Sequence, residues 1–148
     1  MSLQENVNEQ LKAAMKAKDT VALESLRAIK TAIMMTQTQA GAKELTSDDE
    51  IKLVQKLVKQ RKDSAEIFYQ QGRVDLAEPE EAQIKIIEQF LPEQLDEAAM
   101  TEIVAAIIAK TGAAGMQDMG KVMGMASKEM AGKADGKTIS SIVRQKLS

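Results

Sequence analysis

Apolar residues in this 148-residue chain recur every three or four positions almost from end to end. That spacing lines one face of an α-helix and does not fit the alternation of a half-buried strand. Leu3, Val7, Leu11 and Met15 mark a first helix. Leu23, Leu26, Ile29, Ile33 and Met34 mark a second, with Asp19 placed to cap its start. Ser47 followed by Glu50 has the form of a capping box. It opens a third helix with Ile51, Val54, Leu57, Val58, Ala65 and Phe68 inward and Gly72 at its end. Pro79 suits the first turn of a fourth helix carrying Ile84, Ile87 and Leu91, which Pro92 stops. Asp96 can cap a fifth with Met100, Ile103, Val104, Ile107 and Ile108, and two shorter helices follow over 118–130 and 135–147. The expected fold is all-α, with about seven helices in two small helical modules. The N-terminal bundle is expected over residues 1–92 and a C-terminal three-helix domain over 93–148.

The core of such a fold must be aliphatic, because Phe68, Phe90 and Tyr69 are the only aromatic residues. The sequence holds no cysteine and no histidine. Disulfides, zinc sites built on Cys or His, thiol nucleophiles and imidazole bases are therefore excluded. "GKADGKT" lacks the G-x-x-x-x-G-K-[ST] spacing and the preceding strand of a phosphate-binding loop. The acidic runs Asp48-Asp49-Glu50 and Glu78-Pro79-Glu80-Glu81 stand at helix starts, where the helix dipole favours them. No catalytic residue, metal ligand or cofactor is expected. The first residues carry no apolar run of signal-peptide length, and no stretch approaches the ~20 apolar residues of a membrane span. The default expectation is a soluble cytoplasmic protein without a membrane partner.

Charge is unevenly placed on this mildly acidic chain of formal net charge −2. Residues 93–109 carry four acids and no base, whereas residues 110–148 carry seven bases against three acids. Within that basic zone Gly120 and Gly124 stand four apart, one helical turn, beside Lys121. Gly132 and Gly136 bracket Lys133 in the expected inter-helix turn, and Lys137 and Arg144 fall off the Ile139, Ile142, Val143 and Leu147 face. The glycines either let two short helices pack tightly or let a ligand backbone approach. Met116, Met119, Met123, Met125 and Met130 are either flexible core filler or an adaptable groove for a partner helix. A second basic run, "KLVQKLVKQRK", is either a solvated face or a polyanion track.

The motifs "KQRKDS", "GRVDLAEPEEA", "FLPEQL", "DMGKVMG" and "GKADG", in that order and spacing, closely resemble the YqeY family along essentially the whole chain. One departure is Gln83, which stands where an acid is expected. The C-terminal part is similar to the helical tail of the GatB and GatE components of tRNA-dependent amidotransferases. That resemblance implies a tRNA-contacting module mapped onto Gly120, Lys121, Gly124, Gly132, Lys133, Asp135 and Gly136. No part of the chain resembles the cradle domain that performs phosphorylation and amide transfer, or the glutaminase component, so the activity is not implied. The leading expectation is a non-catalytic tRNA-binding accessory protein. Its RNA-binding residues are Gly120, Lys121, Gly124, Lys133, Gly136, Lys137 and Arg144, and no DNA partner is expected. An amidotransferase or synthetase is a candidate protein partner. The alternatives are a protein–protein adaptor using the methionine-rich helices and a component of a glutamine-dependent carbon–nitrogen ligase.

Overall fold

The computed structural model describes residues 2–39, 41 and 44–148. Among these lie seven α-helices, one 3-10 turn and no strand, so the protein is all-α as its periodicity predicts. The chain divides into two compact units, Met1–Leu91 and Pro92–Ser148. Residues 1, 40, 42 and 43 lie outside those described.

The first unit holds α1 (Leu3–Ala17), α2 (Thr20–Gln39), α3 (Ser47–Gln70) and α4 (Val74–Glu88). Val7, Leu26, Ile29, Val54 and Ile87 are fully buried at its centre. Burying each such side chain contributes about 1.5–3 kcal/mol. Met15 and Met34, expected inward, are instead exposed. Stepping by four residues advances about 40° round a helix each time. Three steps from Leu3 therefore carry Met15 out of the core, and Ala14 takes its place.

Two helix starts differ from the sequence reading. Thr46, not Ser47, caps α3: its hydroxyl accepts from the Asp49 N–H at 3.1 Å while the Asp49 carboxylate accepts from the Thr46 N–H at 3.1 Å. Glu50 is thereby released, and its carboxylate accepts from the Leu3 N–H at 3.2 Å, satisfying an orphan amide of α1. Helix α4 starts at Val74, so Pro79 stands inside it rather than in its first turn. Gly72, at φ 72°, turns the chain after α3, and the Arg73 N–H donates to the Phe68 carbonyl at 2.7 Å. That turn launches α4 five residues before the proline.

The second unit holds α5 (Glu97–Thr111), a 3-10 turn (Met116–Asp118), α6 (Met119–Glu129) and α7 (Gly136–Leu147). Asp96 caps α5 through the Ala99 N–H at 2.8 Å, and Asp135 caps α7 through the Thr138 N–H at 2.9 Å. Val104, Val122, Ala126, Met130 and Val143 form a core from which solvent is excluded. Met119, Met123 and Met125 pack against it, while Met116 stays exposed. No single helix among the described residues is long and apolar enough to cross a membrane.

Candidate nucleic-acid interface

Because α6 turns Val122 and Ala126 inward, the opposite side of the helix presents Gly120, Lys121, Gly124 and Lys128 to solvent. Gly120, Gly124 and Lys128 follow at four-residue steps, and Lys121 borders them. A Cβ built on Gly120 or Gly124 would meet no heavy atom within 4 Å. Close helix packing within this unit therefore does not explain the two glycines. Of the two readings left open for these glycines, tight inter-helix packing does not hold within this unit: they leave a bare strip of backbone on the surface.

Lys133 lies in the turn between α6 and α7, with its side chain exposed. Gly132 just before it is buried and takes φ 77°, a region that L side chains avoid. The turn is held from outside. The Gln94 side-chain amide donates to the Gly132 carbonyl at 2.8 Å and to the Pro92 carbonyl at 2.7 Å. The Leu95 N–H donates to the Lys133 carbonyl at 2.9 Å. Two motifs far apart in sequence, "FLPEQL" and "GKADG", thus form one joint. Sequence reasoning missed Gln94, since a polar side chain in a loop carries no periodic signal.

On α7, Gly136 is the first helical residue, and a Cβ there would also meet open space. Lys137 and Arg144, seven residues or about two turns apart, share the exposed face opposite Ile139, Ile142, Val143 and Leu147. Gly120, Lys121, Gly124, Lys133, Gly136, Lys137 and Arg144 are thus all exposed in the same unit, whereas Gly132 is buried and Asp135 half-buried. Lys121, Lys133 and Arg144 form no ion pair among the described residues.

The first unit uses its charges differently. Lys59 pairs with Asp63 at 3.1 Å and Lys62 with Glu88 at 3.6 Å. Arg61 Nε donates to Gln83 Oε1 at 2.9 Å, and Gln83 Nε2 donates to Glu24 at 3.2 Å. Arg73 pairs with Asp75 at 3.0 Å, which holds the Asp75 carboxyl below the usual carboxylate range. The Tyr69 hydroxyl donates to Glu81 at 3.0 Å, and that bond pushes the phenol above its usual range. Three of the five cations in "KLVQKLVKQRK" are thus engaged in ion pairs or hydrogen bonds; Lys52 acts only at a distance on the Asp49 carboxyl, and Lys56 has no ion pair among the described residues. No group of three or more acidic side chains is placed to hold a metal ion among the described residues.

The family model described as "Yqey-like protein" matches residues 4–147, nearly the whole chain. The chain belongs to the YqeY family. This YqeY-family chain is 38% identical over 102 residues to "Altered inheritance of mitochondria protein 41, mitochondrial" of Lachancea thermotolerans, covering 69% of the chain and 54% of that protein. It is 32% identical over 127 residues to the protein of the same name from Pyrenophora tritici-repentis, covering 84% and 68%. It also matches the GatE component of the glutamyl-tRNA(Gln) amidotransferase of Thermococcus gammatolerans, 32% identical over 105 residues, covering 68% of the chain and 17% of that protein. The chain spans about half the length of the Lachancea relative. The kinship expected with amidotransferase components is therefore present. The cytoplasmic expectation is corrected, because the fungal relatives are named as mitochondrial proteins. Its weakness is physical: mitochondrial leaders are amphipathic and Arg-rich, so a missing apolar run says nothing about them.

Proposed function

We propose that this protein is a non-catalytic tRNA-binding accessory whose C-terminal unit holds folded RNA by its phosphates. The observation that carries the reading is the open strip at Gly120 and Gly124 beside Lys121, where backbone is bare and nothing in the unit fills the space. A bare strip lets a phosphate backbone come close, and Lys121, Lys133, Lys137 and Arg144 supply charge around it. Folded RNA is held mainly through phosphates, 2′-hydroxyls and shape, which suits lysines on short helices. This unit has no aromatic residue to stack on single-strand bases. The likeness to an amidotransferase component supports the reading and favours an amidotransferase or synthetase as the protein partner. The adaptor reading has less support, since Met130 is buried in the core and Met119, Met123 and Met125 pack partly buried against it.

The test is binding of the full chain to tRNA by fluorescence anisotropy across a salt series. Three or four phosphate contacts give a log–log salt slope of magnitude ~2–4. Lys121→Glu with Lys133→Glu is expected to weaken binding by more than about tenfold and to flatten that slope, with helicity unchanged. Binding equal to the parent would overturn the proposal.

A further inference from the structure

The first unit carries a second surface feature, a groove of about 650 Å³ between α2 and α3. Its floor is apolar: Ala28, Ala32 and Met35 from α2 face Leu53 and Leu57 from α3. The lining residues run from 28 to 39 on one helix and from 49 to 60 on the other. At 1.5 Å per residue that is a trough roughly 16 Å long, about three turns of helix. Met35, part of that floor, is 58% exposed, and its neighbour Met34 is 55% exposed. Flexible thioethers suit a surface that repacks around an apolar partner.

The two walls differ in charge. Every residue that α2 contributes is uncharged. The α3 wall presents Lys52 and Lys56, one helical turn apart and without an ion pair among the described residues. Asp49, at the end of that wall, already spends its carboxylate on the Thr46 cap. We propose that this groove is a docking site for an amphipathic helix of a partner protein. Its apolar face fills the Ala28–Met35 and Leu53–Leu57 floor, and acids along one flank meet Lys52 and Lys56. Helix-in-groove recognition of this kind reads apolar anchors at i, i+3 or i+4 and i+7. A nucleic acid would leave Met35 and the rest of the apolar floor uncovered, which favours a helix. The inference rests on the first unit alone and does not depend on RNA binding by the second.

The test selects a display library of three-turn helical peptides on the full chain, with apolar anchors fixed on one face and both flanks randomised. Acids are expected to enrich on a single flank at four-residue spacing. The selected peptide should bind Lys52→Glu/Lys56→Glu about tenfold more weakly, and selection on that variant should return a basic flank. Both lysines are exposed, so an unchanged melting temperature shows that the variant folds. The chain has no cysteine, so a fluorophore on Met35→Cys reports occupancy at one site. No enrichment, or peptides indifferent to the charge reversal, would overturn the proposal. So would a Met35→Cys signal that responds to tRNA or oleate, in a Lys52- and Lys56-dependent way, but not to the acidic peptide.

Discussion

Gln83 accepts a hydrogen bond from Arg61 Nε at 2.9 Å through one end of its amide, and its other end donates to Glu24 at 3.2 Å. An amide has both an acceptor and a donor, so it bridges a cation and an anion that a carboxylate could not serve together. That explains how glutamine fits where an acid is expected from the family resemblance. Gln83→Glu should be within ~0.5 kcal/mol of the parent, because a better partner for Arg61 is offset by repulsion from Glu24. In a Glu24→Gln background the same change should stabilise by roughly 0.5–1 kcal/mol. A double-mutant cycle by urea denaturation reads the coupling, and a value of zero would refute the bridge.

The cap of α3 gives a pH dependence with a definite sign. The hydrogen bond from the Thr46 N–H holds the Asp49 carboxyl below its ordinary range. A depressed acid stabilises the fold above its unfolded value, about 3.9, and loses that contribution as pH falls through the lower folded value. Parent and Asp49→Asn should therefore differ by a constant amount at neutral pH. The gap should close as the pH drops below ~4, measured by urea denaturation at each pH. A gap that persists at pH 2 would rule out this account.

Two glycines of the second unit should respond oppositely to alanine. At Gly124 the added methyl meets open space inside a helix, so Gly124→Ala should stabilise by about 0.5–1 kcal/mol. At Gly132 the backbone sits at φ 77°, so Gly132→Ala should destabilise by roughly 1–2 kcal/mol. Thermal unfolding followed by far-UV circular dichroism distinguishes them. If Gly124→Ala stabilises the fold but weakens tRNA binding, the bare strip serves approach by a ligand.

Lys18 ends α1 at φ 55°, the single non-glycine residue with positive φ among those described. Its N–H still donates to the Met15 carbonyl at 3.3 Å, so the turn is formed against a steric cost. Lys18→Gly should raise stability by about 0.5–1 kcal/mol, seen as a melting temperature a few degrees higher. An unchanged or lower value would mean that the lysine side chain contributes elsewhere.

Helix identity was legible because the 3.6-residue period is a property of each segment alone. Exact starts were not. In "LTSDDE" both Thr46 and Ser47 can cap, and the choice falls to Thr46 because Asp49 then closes the reciprocal bond and frees Glu50 for Leu3. Pro79 marked a start that Gly72 and Arg73 pre-empt. The basic residues of the C-terminal unit could be found from charge alone. The openness around Gly120 and Gly124 could not, because a glycine that permits contact and one that leaves space read the same in one dimension.

The joint formed by Gln94 and Leu95 with Gly132 and Lys133 has a consequence for where the C-terminal module can be cut free. The helical part begins at Glu97, yet a fragment started there would leave the Gly132 and Lys133 carbonyls without their donors. The short leader before α5 is stitched to the far end of the module, like the overlap that closes a hoop. Excised with that overlap, from Pro92 onward, the piece keeps the clasp that sets the direction of Lys133; trimmed to its helices, it retains its core residues and loses the angle at which they present the basic turn.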